Sequence, residues 1–388
     1  MKLKSLLLGS AAAMVAVTGA RAADAVVVAE PEPVEYVRVC DTFGTGYFYI
    51  PGTETCLRIS GYVRYRVGAT NDDGFDFDAE GNPVGDTPNF NGFIGGGWNK
   101  STRARVNFDA RSQTEWGTLQ AFIRFQADWG QASVTRNPFA DGPVSTDQAW
   151  LSLGGFRAGY TQSAWAETIH GVTNGGSFSD GALWYGDQQR HLLQYNFGGD
   201  TGLFAVASLE DDALQGNGYV PDAVGVIGYQ QGWGAVWARV GYDNSIDPEI
   251  DGDDDAGFGA QLATQINIPN TQNAIRLMGW YANNDTVYGT QSPYAGVSGG
   301  NGAAEWSVLA AYNHTFTEKF SASTGFQYFN NFYEAYSDVK TGLDGYSADL
   351  SFVYEPVQNF EIRNEWNYDK VDGLDGSVSG WMWFLRRF

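Results

Sequence analysis

Gly380-Trp-Met-Trp-Phe-Leu-Arg-Arg-Phe388 closes the chain on a strand-like stretch that stays aromatic and apolar to its last residue. A soluble exported protein rarely ends this way. In a closed barrel the last strand must pair with the first, because an unpaired edge in lipid strands its backbone N–H and C=O groups. The opposite end fits. Met1–Ala22 has a basic start (Lys2, Lys4), an apolar run from Leu6 to Val17, and Ala20-Arg21-Ala22 as an A-x-A cleavage pattern. The expected mature chain therefore begins at Ala23. No later window approaches the roughly 18 apolar residues a spanning helix needs. An exported chain without such a helix, ending on a lipid-compatible strand, points to a β-barrel in an outer membrane.

Composition agrees. Gly at 50 residues, 13 Trp, 15% aromatics and three His describe an all-β chain with many tight turns. The mean hydropathy of −0.30 does not argue against a membrane. A barrel is apolar only on alternate residues, and its long loops are polar. Loss of Lys2, Lys4 and Arg21 with the signal takes the formal charge from −22 to −25. That sign excludes nucleic acid as a default partner, because a phosphate-binding surface needs the opposite charge.

Segments of period two recur from Leu57 to Phe388. Leu57, Ile59, Gly61, Val63, Tyr65 and Val67 alternate with Arg58, Ser60, Tyr62, Arg64 and Arg66. Ala104, Val106, Phe108 and Ala110 alternate with Arg103, Arg105, Asn107, Asp109 and Arg111; Leu119 to Ala127 and Tyr346 to Tyr354 behave alike. One greasy and one charged face require an apolar medium on one side and water on the other. A soluble sandwich reads similarly over any single strand, so the connections decide. Short links at Thr114–Gly117, Gly154-Gly155, Gly198–Thr201, Gln230–Trp233, Pro269–Gln272, Thr317–Lys319 and Glu355–Asn359 alternate strictly with long polar ones. The long links run at about 70–100, 129–146, 161–190, 211–222, 244–256, 283–302, 330–344 and 369–375. Short periplasmic turns alternating with long outer loops join sixteen antiparallel strands and leave both ends in the periplasm. The expected layout is a signal peptide over 1–22, a periplasmic lead-in over 23–56 and a transmembrane barrel over 57–388. Aromatics at strand ends (Phe156, Phe197, Phe316, Phe320, Tyr354, Phe360) suit interfacial girdles.

Glu30-Pro-Glu-Pro-Val-Glu-Tyr-Val-Arg-Val-Cys40, Gly46-Tyr-Phe-Tyr-Ile-Pro-Gly-Thr-Glu-Thr-Cys56 and Leu57-Arg-Ile-Ser-Gly-Tyr-Val-Arg-Tyr65 resemble the opening of alphaproteobacterial general porins. The strand layout extends the resemblance over the mature chain. It implies a homotrimer of sixteen-stranded barrels that admits small hydrophilic solutes, narrowed by an inward-folded third loop, here Thr161–Gln189. It further implies surroundings of outer-membrane lipid and lipopolysaccharide, insertion by the barrel-assembly machinery, and Phe388 as the assembly signal. Arg386 departs from the general pattern, since the lipid-facing register of Phe384 and Phe388 predicts an apolar residue there.

Cys40 and Cys56 are expected to form one disulfide in an exported chain, lacking the CxxC spacing of a redox or metal pair. No metal or cofactor is expected. His170, His191 and His314 lie in separate segments, and neither GxSxG nor HExxH occurs. The acidic run Asp247–Asp255 places Phe258 where an EF-hand needs its bidentate Glu. A solvated outer loop is the better reading.

The arginines carry more. After Ala22 the basic residues are sixteen Arg and four Lys, and the lysines (Lys100, Lys319, Lys340, Lys370) sit in links or at strand ends. Arg58, Arg64, Arg66, Arg103, Arg105, Arg111, Arg124 and, from the fifteenth strand, Arg363 lie mid-strand on polar faces. On a lipid face each would cost about 2–4 kcal/mol at the midplane, so they belong in the lumen. Such a wall could simply be salt-bridged to Asp109, Asp128, Glu361 and Glu365. The resemblance favours a basic wall opposed to Glu167 and Asp180 of the third loop, setting a transverse field across a constriction. The expectation is a passive, weakly cation-preferring diffusion channel. The alternatives are an outer-membrane enzyme on a smaller barrel, told apart by strand count and ion conduction, and a secreted all-β carbohydrate-binding protein, which would partition to the soluble fraction.

Overall fold

The computed structural model describes residues 38–70, 76–77, 83–84, 97–130, 144–167, 176–181, 183–211, 220–244, 256–290 and 302–388. The expected signal and most of the expected lead-in, Asp72, Asp73, Asp212, Asp251 to Asp255 and His170 lie outside them.

Sixteen strands form one barrel: β1 Cys56–Thr70, β2 Gly97–Thr114, β3 Gly117–Gly130, β4 Ser145–Leu153, β5 Phe156–Gln162, β6 Gln189–Gly198, β7 Gly202–Glu210 and β8 Asp222–Gln231. The second half is β9 Gly234–Asp243, β10 Gly257–Asn267, β11 Ala274–Ala282, β12 Ala304–Thr317, β13 Phe320–Phe332, β14 Gly345–Val357, β15 Phe360–Val371 and β16 Ser377–Arg387. Each pairs antiparallel with its neighbour in sequence, and β16 returns to β1 from Ser379↔Thr70 to Arg387↔Tyr62. No helix occurs among the described residues. The seven tight connections and the eight longer ones fall within about three residues of where the sequence spacing puts them; β2 begins at Gly97, inside the 70–100 link, β13 runs to Phe332, inside the 330–344 link, and β15 runs to Val371, inside the 369–375 link.

Burial is inverted relative to a water-soluble protein. Leu262 is 64% exposed and Ile227 55%, whereas Gln327, Ser351 and Glu365 are 0% exposed. An apolar exterior this continuous far exceeds what a soluble monomer presents, and it suits lipid. The register explains it. In β1, Ile59, Val63 and Tyr65 point outward, while Arg58, Tyr62, Arg64 and Arg66 point into the lumen beside Asp109, Arg105, Arg103 and Ser101 of β2.

The inner wall is not uniformly wet. Across β7 to β12 the inward positions include Phe204, Val206, Val224, Val226, Trp237, Met278, Trp280 and Leu309, all buried in one cluster with Trp165, Leu183 and Tyr288 from loops. Strands such as β8, Asp-Ala-Val-Gly-Val-Ile-Gly-Tyr, therefore read as near-continuous apolar runs without clear alternation. One half of the barrel interior is a packed core; the half around β1 to β5, β15 and β16 is polar.

The segment after Val39 folds against the short-turn end. Cys40 and Cys56 are bridged, and Phe48 pairs with Leu57. The buried Tyr47 donates to Asp109 Oδ2 at 2.6 Å. Burial and the Asp109 carboxylate push the Tyr47 hydroxyl up to about 12, so it remains a donor at any physiological pH.

Closure ends on Phe388, whose N–H and C=O exchange hydrogen bonds of 3.0 Å with Gly61 of β1. A Cβ at Gly61 would lie 2.1 Å from the Arg105 carbonyl oxygen and 3.0 Å from Phe388 Cζ. Arg386 takes the outward side of β16 at the short-turn end, its guanidinium 3.3 Å from the Asn359 carbonyl. At that end a long side chain can keep its charge at the interface. We expect Gly61→Val to cut the yield of folded barrel in outer-membrane fractions severalfold without affecting export, and deletion of Phe388 to do the same. Heat-modifiable mobility on gels reads the folded fraction; wild-type amounts from Gly61→Val would show that the close approach is not needed.

Candidate functional site

The third long connection leaves β5 at Ser163, and its described parts (163–167, 176–181 and 183–188) lie against the inner wall. It is fastened strand by strand. Ala164 N–H donates to Glu210 of β7 at 3.0 Å. Arg239 of β9 donates to the carbonyls of Trp165 and, at 2.8 Å, of Glu167. Arg276 of β11 donates to the carbonyls of Gly176 and Ser177 at 2.9 and 2.8 Å, with its guanidinium 4.3 Å over the Phe178 ring. Asp349 of β14 accepts from the hydroxyls of Ser177 and Ser179. Asp180 N–H donates to Glu365 of β15 at 2.7 Å. On the return leg, Gln327 of β13 accepts from Trp184 N–H at 2.9 Å and donates to its carbonyl at 2.7 Å. A loop buried inside a barrel must satisfy its own backbone, and these side chains do so.

Sequence reading missed Glu210, Arg239, Arg276, Gln327 and Asp349. A usable signal existed in part: Arg276 is the single charge in an inward register otherwise occupied by Ala274, Met278, Trp280 and Ala282, while Arg239 shares its register with Ala235, Trp237 and one acid, Asp243. A lone charge there has to find a partner inside the lumen.

The arginines named from sequence line the polar half of the wall. Arg58 and Arg111 pair with Asp109 at 3.3 and 2.9 Å, and Arg103 with Asp128 at 2.6 Å. Arg105 and Arg124 share Asp147 at 3.7 and 3.4 Å; the β3–β4 register shifts at Arg124/Phe125, beside Asp147. Arg363 sits between Glu361 at 2.8 Å and Glu365 at 3.2 Å. Arg66 stands 5.3 Å over the Trp381 ring. Arg64 reaches Asp180 of the third loop at 3.3 Å. Glu167 is placed differently from Asp180: it pairs with Arg157 of β5 and accepts from Gln194.

Behind the arginines lies an aromatic layer. Trp381 and Trp383 face inward, 6% and 1% exposed, and their indole N–H groups donate to Glu365 and Glu361 at 3.1 Å. Arg64 and Arg363 both lie 5.2 Å from the Trp383 centroid. Each such stack contributes about 0.5–1 kcal/mol at a solvated site and fixes where the guanidinium sits.

The two described histidines stand on separate strands, His191 on β6 and His314 on β12. His191 packs on the Tyr160 ring, and His314 bonds Tyr312 and Asn273. No group of three or more His, Cys, Asp or Glu there could hold a metal ion.

A family model described as a porin subfamily matches residues 24–380. Porin Omp2a of Brucella ovis is 34% identical over 96% of this chain and 100% of its own length. The chain belongs to the porin subfamily. Porin Omp2b of Brucella suis, 33% identical over 96% of this chain and 94% of its own, agrees. Among solved structures, the outer membrane channel DcaP of Acinetobacter baumannii superposes with a TM-score of 0.62 at 16% identity, over 88% of this chain and 99% of that one. An anion-selective porin from Comamonas acidovorans gives 0.54 at 11%, over 86% and 100%. At such identities these two likenesses show the fold alone. The protein is an outer-membrane porin, a β-barrel channel.

In this porin the guanidiniums of Arg239 and Arg276 hold the third loop to the packed half of the barrel. Arg276→Met leaves two carbonyls without their donor, at about 1–3 kcal/mol each. We expect larger and noisier single-channel steps from a loosened loop, with the folded barrel retained. A conductance identical to wild type in planar bilayers would show that Arg276 does not hold the loop.

Proposed function

We propose that this porin passes small hydrophilic solutes and ions through a constriction between the third loop and the arginine wall, with a weak preference for cations. The contact of Asp180 with Arg64 carries the reading: it brings an acid of the loop to a base of the wall on the polar side of the lumen. Charges of opposite sign held on opposite elements create a field across the passage that orients dipolar solutes. The remaining wall arginines have carboxylates within 4 Å or stack on tryptophan, which supports a nearly neutral narrow zone. Ion preference then follows the mouth and outer loops. A mature chain at −25 and the acidic loop residues, Asp211 and Asp251 to Asp255 among them, support attraction of cations. The preference fades in strong salt, since the Debye length falls to about 3 Å at 1 M.

The same reading includes cleavage after Ala22, insertion by the barrel-assembly machinery, contact with lipopolysaccharide, assembly as a homotrimer and no catalytic activity. Trimer packing through the outward face near the closure is supported by its small residues, Ala104 and Ala110 on β2 and Ala121 on β3, which let backbones approach closely.

Reversal potentials in a salt gradient test the charge assignment. Arg64→Gln with Arg105→Gln is expected to raise cation preference. Glu167→Gln with Asp180→Asn is expected to shift it toward anions. If neither double variant moves the reversal potential, these residues do not border the conducting path.

A further inference from the structure

The connection after β11 reads in sequence as a polar outer link, yet its first residues are withdrawn from solvent. Asn284, Asp285, Thr286, Tyr288 and Thr290 are all buried. Polar groups hidden in this way need partners, and neighbouring strand ends supply them. Asp243 at the end of β9 accepts from Thr286 Oγ1 at 2.8 Å and from Val287 N–H at 3.2 Å. Asp222 at the start of β8 accepts from the Tyr288 hydroxyl at 2.9 Å. Asp285 ties the segment sideways, accepting from Ala303 N–H at 2.8 Å and from Tyr336 N–H at 3.0 Å. Room for this inward turn comes from two glycines paired across the wall, Gly241 of β9 and Gly259 of β10, both in inward registers. A Cβ on Gly241 would lie 2.4 Å from Tyr288 Cγ, and one on Gly259 2.0 Å from the Tyr288 carbonyl oxygen. Only glycine lets the segment come so near the strands.

What this segment meets inside the barrel is the third loop. The Tyr288 ring packs edge-on against Trp165 of the outgoing leg, with centroids 5.7 Å apart. Gln188 of the returning leg donates to the Val287 carbonyl at 3.2 Å. Gly186 of the same leg lies close to both: a Cβ there would stand 2.7 Å from Trp165 Nε1 and 2.9 Å from the Gly289 carbonyl oxygen. The two legs of the third loop therefore converge on one short stretch of another loop. We infer that Tyr288 is a positioning residue of the channel: seated in the glycine recess, it holds both legs of the third loop and thereby sets the width of the constriction. The side chains of β7, β9, β11 and β13 to β15 fix the third loop by hydrogen bonds from the wall. Tyr288 fixes it by packing from a second loop, and a close-packed contact leaves its neighbours little room to shift. Tyrosine suits the place because its ring fills the recess while its hydroxyl reaches a buried carboxylate.

This inference rests on the proposed constriction, and Arg276→Met separates the two. Single-channel recording of the full-length porin in planar bilayers is the readout, with heat-modifiable mobility reporting the folded fraction. Tyr288→Ala is expected to enlarge the conductance step by at least about 1.5-fold, because current follows the narrowest part of the path. Gly259→Ala displaces the same segment without altering the third loop; it is expected to act in the same direction, and it serves if Tyr288→Ala does not fold. Tyr288→Phe keeps the ring on Trp165 and is expected to retain the wild-type step. Trp165→Ala should enlarge the step as Tyr288→Ala does, and the double variant no more than either alone, since the two act through one contact. A residue that merely stabilised the barrel would lower the folded fraction and leave the step of each folded channel unchanged. That result for both Tyr288→Ala and Gly259→Ala overturns the inference, as do fully additive effects of Tyr288→Ala and Trp165→Ala. An altered step from Arg276→Met beside unaltered ones from both of those variants removes the role of Tyr288 and leaves the constriction standing. Unaltered steps from all three remove the constriction and the inference with it.

Discussion

Every backbone N–H and C=O that enters hydrocarbon must find a partner within the protein, because each orphan costs several kcal/mol there. For a chain of strands the solution is closure, and here it is made by β16 on β1, continued by the two hydrogen bonds between Phe388 and Gly61. Closure at sixteen strands fixes a lumen wider than side chains can fill. The interior then has two possible contents, water or more chain. This porin uses both: β7 to β12 turn apolar side chains inward and cover them with the third loop, while β1 to β5, β15 and β16 turn arginines and acids inward. The asymmetry of the lumen follows from which strands carry apolar inward registers.

The loop that covers the apolar half brings its own backbone into a buried place, so it has to be hydrogen-bonded by the wall. Arg239 and Arg276 meet this need with guanidiniums that each bridge two carbonyls, and Glu210, Asp349 and Glu365 accept from the loop's donors. Replacing any of them by an apolar residue of equal size would preserve the packing and still leave loop groups unpaired. Position and solvation of the loop are thus set by the same few contacts, and a well-defined pore depends on both.

Much of this was legible in the sequence. Alternation in Arg58 to Tyr65 and in Arg103 to Arg111 reports the two faces of β1 and β2 directly, since side chains two apart share a face. The alternation of tight turns with long links gave the strand number, and Cys40 with Cys56 gave the bridge. What stayed hidden was set by partners far away in the chain. Asp180 meets Arg64 116 residues away, and Arg276 meets Ser177 99 residues away. No local pattern encodes such pairs. Glu167 illustrates the difficulty from the other side: its partner, Arg157, is only ten residues distant, on the strand from which the loop departs. The apolar reading of the last strand concealed Trp381 and Trp383, because an aromatic residue suits lipid and a stacked arginine equally well.

That last ambiguity bears on why the wall uses arginine. A lysine is a hydrated point charge on a flexible stem and would sample many positions in a wet lumen. Arginine lies flat on a ring and keeps a fork of donors free for a carboxylate. Trp383 carries both Arg64 and Arg363, and each still reaches an acid, Asp180 for the first and Glu361 for the second. Each pair is nearly neutral in sum, yet its two ends are held apart in fixed directions. Pairing therefore leaves the wall's dipoles in place while it cancels the net charge. In this arrangement the salt-bridged wall and the transverse field are the same structure: the pairs that stabilise the charges in the lumen also determine the direction of the field a passing solute meets.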